Sequence, residues 1–192
     1  MPRSIEFIAA LIGLVICSPI ILFLALGVRL TSPGAAFFRQ TRLGKSEEPF
    51  NIIKIRTMAA GTLEAGTHLV GEEAITPLGR ILRKLRLDEI PQLINVIRGE
   101  MSFVGPRPCL SSQLDLISAR KHYHVFHVRP GITGLAQVQG VDMSEPLHLA
   151  AIDGEYVRRR STLLDLKIIL KTVTGGAIDR RPGASKTENI DR

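Results

Sequence analysis

Hydrophobic and polar positions divide this chain into one long uncharged stretch near the N-terminus and a series of short amphipathic segments after it. Residues 7–28 carry no charged side chain. At about 1.5 Å per residue, a straight helix of that length reaches about 33 Å, enough to cross a hydrocarbon core of about 30 Å. A signal peptide is the ordinary alternative, but the stretch is long and lacks a clear small-x-small cleavage site. Ser18 and Pro19 stand at its middle. Pro19 removes an amide and frees the Val15 carbonyl, and the Ser18 hydroxyl is placed to satisfy such a group, as hydrocarbon requires. Basic residues flank both ends, Arg3 before and Arg29, Arg39 and Arg42 after, whereas a spanning helix shows a charge bias. The pattern favours a re-entrant helix-break-helix over residues 1–30, turning at Ser18 and Pro19, above a true span.

Beyond Thr31-Ser32-Pro33-Gly34, residues 35–40 and 50–56 are short Phe- and Ile-rich runs around a polar turn with Gly44 and Pro49, the pattern of a β-hairpin. Lys54, Arg56 and Met58 alternate on one strand face and Ile53 and Ile55 on the other. Two accounts of that face stand side by side: a solvated strand surface, or two cations aimed at a phosphate. Residues 59–74 have weak periodicity and read as a loop. Thr76-Pro77 marks a helix start. Leu78, Ile81, Leu82 and Leu85 follow at helical spacing, with Arg80, Arg83, Lys84 and Arg86 between them. Such a basic amphipathic helix suits an anionic membrane surface, or ordinary core packing with a solvated basic face. Asp88 then stands at the head of a further helix, with Pro91 in its first turn and Leu93, Ile94 and Ile97 as its stripe. Residues 111–119, the segment from Asp153 to Tyr156 and residues 163–173 read as helices; residues 175–192 are polar, without periodicity, and expected to be mobile. The expected fold is α+β, mostly helical: a membrane segment over residues 1–30, a domain over residues 31–174 with amphipathic helices at the membrane interface, and a tail.

Composition narrows the partners. The 192 residues carry a net charge of +7, which calls for an anionic partner: nucleic acid, lipid headgroups or a phosphorylated substrate. Aromatic residues make up 5% and tryptophan is absent, which counts against a base-stacking single-strand binder. Cys17 and Cys109 form no framework and read as free thiols. His122, His124 and His127 invite a metal reading, but no acidic or Cys ligand joins them at zinc spacing, so a polar surface is the expectation.

The chemistry concentrates between Leu87 and Pro108. Asp88 and Glu89 are adjacent carboxylates preceded by Arg80, Arg83, Lys84 and Arg86 and followed by Arg98 and Arg107. A helix end would keep Asp88 ionised and stabilise a phosphoryl group attached to it, although an N-cap is the commonest use of Asp at such a place. Neighbouring positions on a helix diverge by about 100°, so the two acids take different roles, one attacking while the other binds a metal or orients the first. Pro106 and Pro108 would hold Arg107 with little entropy left to lose, and Arg grips phosphate bidentately. Arg129-Pro130-Gly131-Ile132-Thr133-Gly134 is a Gly-rich loop whose amides at Gly131 and Gly134 could cradle a phosphate.

Three blocks, FFRQTRLG…PFNIIKIRTM, LDEIPQLINVIRGEMSFVGPRP and VRPGITGLAQVQG, together with the Ser-Pro apolar segment, resemble the bacterial sugar transferase family of small monotopic polyprenol-phosphate phosphoglycosyl transferases. The resemblance runs from about Arg3 to Val173. It implies an enzyme on the cytoplasmic face of the bacterial inner membrane, held among its lipids by the re-entrant helix. It implies transfer of a phosphosugar from a UDP-sugar to undecaprenyl phosphate with release of UMP, with Mg²⁺ required and no nucleic acid partner. Asp88 would attack the β-phosphate and carry a covalent phosphosugar, with Glu89 beside it and Asp88 and Glu89 as metal ligands. Arg83, Lys54, Arg56 and the Pro106-Arg107-Pro108 turn fall on the family's other functional positions. The chain departs from the family pattern at Arg86, often Ser or Thr, and at Gln139-Gly140-Val141, commonly Asn-Gly-Arg; the second departure puts the sugar in doubt. A membrane-anchored basic adaptor for anionic lipid or nucleic acid is the competing reading, in which Asp88 would be dispensable.

Overall fold

A computed structural model describes residues 1–59, 61–62 and 72–174; the expected tail and most of the expected loop over residues 59–74 lie outside the described residues. The uncharged stretch forms α1 (Arg3–Thr31), and it does so as one helix. The break expected at Ser18 and Pro19 does not interrupt it. Ser18 Oγ donates to the Val15 carbonyl at 2.8 Å, so the hydroxyl serves the acceptor that Pro19 leaves without an amide and the helical path continues.

Both ends of α1 pack on the rest of the chain, and the middle does not. Near its start Ala10 is fully buried against Phe50, Ile52, Val96 and Met101, Glu6 is buried and accepts from Ser102 Oγ, and Arg3 donates to the carbonyls of Val96 and Met101. Near its end Val28 packs with Ile55 and Leu82. Between them Val15, Ile16, Leu22 and Phe23 are 66–75% exposed. At the C-terminus of α1 the Arg56 guanidinium donates to the carbonyls of Ser32 and Pro33.

The hairpin is β1 (Phe37–Leu43) and β2 (Pro49–Ile55), antiparallel, with Phe37 opposite Ile55 and Leu43 opposite Pro49. β1 begins and ends later than the apolar run suggested, because Thr41 and Arg42 pair with Asn51 and Phe50 despite their polarity. β2 is buried on both faces: Phe50, Ile52, Ile53 and Ile55 are all core residues. Its outer edge meets one side chain. Asn95, fully buried, accepts from the Ile53 amide at 3.1 Å and donates to the Asn51 carbonyl at 2.7 Å and to Glu100 at 2.6 Å.

α2 (Pro77–Lys84) starts as the sequence predicts, with Thr76 Oγ1 accepting from the Gly79 amide at 3.0 Å. A Cβ at Gly79 would lie 2.1 Å from the Thr57 carbonyl oxygen, so only glycine lets α2 approach the chain leaving β2 this closely. Leu82 enters the core, while Ile81 and Leu85 face outward. The chain then turns through Arg86 in the left-handed region into a 3₁₀ turn, Leu87–Gln92, before α3 (Leu93–Arg98). The helix expected to begin at Asp88 therefore begins five residues later, after a 3₁₀ turn that contains Pro91.

β3 (Ser102–Val104) and β4 (Gly131–Thr133) form a parallel pair of three residues each. α4 (Leu114–His122) lies between them in sequence; α5 (Leu135–Gln139), α6 (Pro146–Arg159) and α7 (Thr162–Val173) follow. Cys109, Leu116, Phe126, Ala136 and Leu149 make the core of this half. Arg120 on α4 and Asp153 on α6 form a buried ion pair at 2.7 Å, and the Tyr156 hydroxyl donates to Asp165 at 2.8 Å, tying α6 to α7. The result is mostly helical with a short antiparallel strand pair.

Candidate active site

β2 and the 3₁₀ turn after α2 bring three sequence-predicted residues together. Lys54 Nζ donates to Glu89 Oε1 at 2.7 Å, and Arg107 donates to the same oxygen at 3.2 Å. Glu89 and Lys54 are largely buried, their side chains 14% and 18% exposed. Burial pushes the Glu89 carboxyl up, but Lys54 and then Arg107 outweigh it and hold the carboxyl at about 2. Burial pulls the Lys54 ammonium below its usual range, and Glu89 opposes that pull. The three side chains form a fixed, largely buried ion cluster centred on Glu89.

Asp88 is the more deeply placed acid, 7% exposed. Burial raises its carboxyl above the usual aspartate range, the Glu89 charge adds to the rise, and Lys54, Arg83 and Arg107 oppose it. It is not an N-cap. The 3₁₀ turn is entered through Arg86 with no side-chain cap, so cations on other elements, and not a helix end, face this carboxylate. In a 3₁₀ turn successive side chains diverge by about 120°, which keeps Asp88 and Glu89 on separate sides. A buried, basic carboxylate beside three cations has the chemistry to act as a nucleophile towards an anionic electrophile whose charge the cations can neutralise. Arg83 is held from α2 by Nε donating to Thr57 Oγ1 at 2.8 Å.

Arg107 owes its place to backbone packing. The Gly131 amide donates to the Pro106 carbonyl at 3.0 Å, and the Gly105 amide to the Thr133 carbonyl at 2.9 Å. A Cβ on Gly131 would fall 2.1 Å from the Gly105 nitrogen, and one on Gly134 2.2 Å from the Gly105 carbonyl oxygen. The Gly131 amide is thus engaged by the Pro106-Arg107-Pro108 turn, and the two glycines let β4 and α5 close upon it. Their role in this structure is to hold that turn, and no free amide at Gly131 cradles a ligand. Arg56 is not brought to the site either; it turns to the end of α1. Ser18 and Pro19 lie in the exposed middle of α1, away from this cluster. His124 and His127 stack 5.2 Å apart while His122 meets Tyr123 edge-on, so the three imidazoles are split between two contacts. Val141, where the family pattern expects Arg, packs against the Cys109 core, and Asp142 accepts from Ser144.

A small pocket opens beside Glu89, lined by Lys54, Arg107, Pro108, Gly131 and the apolar Ile52 and Ile132, and also by Arg42 and Gln92, two polar residues the sequence did not mark as site residues. Arg42 on β1 donates to the Pro108 carbonyl at 3.3 Å and to Gln40 at 2.6 Å. Burial, with Arg107 adding to it, draws its guanidinium down to about 10, still charged at neutral pH. Gln92 is 2% exposed. Alternation along β1 could have flagged Arg42, which shares a strand face with Gln40 and points inward at a polar position of an otherwise apolar hairpin.

Among the described residues no three His, Cys, Asp or Glu side chains gather into a metal cluster. Asp88 and Glu89 nonetheless suit a hard cation that takes one or two carboxylates and completes its shell from phosphate oxygens and water, as Mg²⁺ does.

The family model for bacterial sugar transferases matches residues 1–177. Over 182 residues the chain is 42% identical to the UDP-glucose:undecaprenyl-phosphate glucose-1-phosphate transferase of Caulobacter vibrioides, covering 89% of this chain and 67% of that protein. It is 34% identical to the exopolysaccharide production protein ExoY of Rhizobium meliloti, over 93% of this chain and 86% of that one. It is also 35% identical to the UDP-N-acetylgalactosamine-undecaprenyl-phosphate N-acetylgalactosaminephosphotransferase of Aeromonas hydrophila, of which it spans 42%.

Proposed function

The chain belongs to the bacterial sugar transferase family, whose enzymes are phosphoglycosyl transferases, and from that premise we propose that it moves a phosphosugar from a UDP-sugar to undecaprenyl phosphate through a phosphosugar carried on Asp88. The observation that carries the proposal is the buried Asp88 carboxylate, made more basic by burial, with Lys54, Arg83 and Arg107 opposing its charge. An Asp88 oxygen attacks the β-phosphorus, the bond from that phosphorus to the bridging oxygen breaks, and UMP leaves with the electron pair. An oxygen of the acceptor phosphate then attacks the aspartyl phosphorus, the Asp88–phosphorus bond breaks, and the carboxylate returns. The acceptor oxygen is already anionic, so neither displacement needs a general base. What both need is cancellation of charge between approaching anions, which Lys54, Arg83 and Arg107 supply while Glu89 keeps Lys54 and Arg107 in place. Asp88 and Glu89 would hold Mg²⁺, which when bound would neutralise phosphate charge.

The membrane reading follows from α1. Its two ends pack on one body and its apolar middle is bare, an arrangement that keeps the whole domain on one side of a bilayer. This supports attachment from the cytoplasmic face of the inner membrane over a span, and a polyprenyl phosphate dissolved in that leaflet would reach Asp88 at the surface. The relatives' names include UDP-glucose and UDP-N-acetylgalactosamine, so the proposal is made for UDP-sugars as a class.

The test incubates the full chain with Mg²⁺ and UDP-sugars labelled in the β-phosphate, without acceptor. UMP release and label on Asp88 are expected, with discharge on adding undecaprenyl phosphate. Turnover with acceptor but no label without it would leave direct transfer and overturn the covalent route. Tags at both termini should stay shielded from the outside of sealed cells; an exposed N-terminal tag would mean a span.

A further inference from the structure

Two buried donors beside Glu89 have no partner: Gln92 Nε2 and Arg42 Nε. Both belong to residues lining the pocket that Lys54, Glu89 and Arg107 share. An unsatisfied donor buried in a folded chain is uncommon and costly, and two in one small cavity mark a place built to be filled by an acceptor. The remaining N–H groups of Arg42 are engaged in part: its two terminal nitrogens hold Pro108 and Gln40. That fixes the guanidinium and leaves Nε for an incoming group. The only carboxylate in the lining is Glu89, and its Oε1 is already shared by Lys54 and Arg107. The pocket thus offers N–H donors and positive charge, the chemistry of a phosphoryl oxygen site.

Its position relative to Asp88 says which phosphoryl group. Asp88 does not line this pocket; its neighbour Glu89 does. In a diphosphate the attacked phosphorus must sit against Asp88, and the other phosphate sits one bridging oxygen away. We propose that Arg42 and Gln92 bind the phosphate that is not attacked, which departs with the nucleoside as the leaving group, and that they stabilise the charge it gains as the bridging bond breaks. The proposal rests on the transferase reading above and goes beyond it by assigning two binding residues and the half of the donor they grip. The pocket is too small for a nucleoside, so its preference is for the phosphoryl group itself.

The experiment measures inhibition of the full chain by UMP, the expected product, and by uridine, which lacks the phosphate. It compares wild type with Gln92→Leu, which keeps the size and removes the donor, and with Arg42→Lys, which keeps the charge and removes Nε. Losing a hydrogen bond to a charged group predicts that UMP inhibits either variant about 10- to 100-fold more weakly. Inhibition by uridine and the KM for undecaprenyl phosphate should stay within about twofold of wild type. Undiminished UMP inhibition in both variants overturns the proposal. So does a raised KM for undecaprenyl phosphate with UMP inhibition intact, which would give the pocket to the acceptor. Gln92→Leu relieves a buried orphan, so its melting temperature should not fall; if it does, Arg42→Lys alone decides. A wild type that releases no UMP would fail the transferase reading, whereas an active wild type with unaltered variants fails this assignment alone.

Discussion

Replacing Lys54 with methionine keeps the length of the side chain and removes the nearer of two cations from Glu89. The carboxyl is held at about 2 against an ordinary 4.5, which corresponds to about 3 kcal/mol of favourable interaction with the charged form. Lys54 contributes more of this than Arg107, through both its charge and its 2.7 Å hydrogen bond. Breaking a buried pair from one side strands the other charge and costs about 3–5 kcal/mol, so Lys54→Met should lose about 3 kcal/mol at neutral pH. The pH dependence has a definite sign. A depressed carboxyl contributes stability that is present above its unfolded value of 4.5 and is lost as the pH falls through about 2. The gap between wild type and variant should therefore be widest near neutrality and close as the solution is acidified towards the folded value. Denaturant titration in lipid nanodiscs, followed by far-ultraviolet circular dichroism because the chain has no tryptophan, would measure it. Lys54→Met combined with Glu89→Gln should recover most of the stability while remaining inactive. A single variant within about 0.5 kcal/mol of wild type, or a double variant no more stable than the single, would refute the account of this ion cluster.

Asp88→Asn should abolish UMP release and raise the melting temperature near neutral pH. Burial raises the folded-state carboxyl, so the ionised form weighs against folding above the unfolded pKa, and that penalty fades as acid protonates it; melts at several pH values would show the gain shrinking on acidification. Gly131→Ala should cost about 1–3 kcal/mol, as overpacked sites do, and displace Arg107, lowering kcat more than it changes uridine inhibition. Arg120→Met strands Asp153 in the core and should cost about 3–5 kcal/mol, with Asp153→Leu in the same chain restoring stability by thermal melting.

What could be read from residues alone was whatever had a local cause. Thr76-Pro77 starts α2 because a hydroxyl and a fixed φ act within one turn. The hairpin was visible from its apolar runs, and Asp88 and Glu89 from their company of cations. The rest depended on distant partners. β3 and β4 are three residues each and pair across a long connection, so no period betrays them. Arg56 and Lys54 share a strand face, and only the position of α1 sends one to a helix end and the other to Glu89. Gly131 and Gly134 carried the mark of a phosphate loop, yet close packing against Gly105 requires glycine just as strictly. Gln92 carries no signal in the sequence, because only the fold buries its amide and leaves it without a partner.

Asn95 gives the ion cluster its addressing. By bonding the Ile53 amide and the Asn51 carbonyl, its side chain imitates one rung of a third strand and clamps β2 to the segment that carries Glu89. Strand side chains alternate, so a slip of one residue would turn Lys54 away and present an isoleucine to Glu89. The carboxamide of one buried asparagine thus acts as a ratchet stop, converting sheet register into the choice of which side chain meets the carboxylate. It also occupies donors and acceptors that an exposed strand edge would offer to another chain.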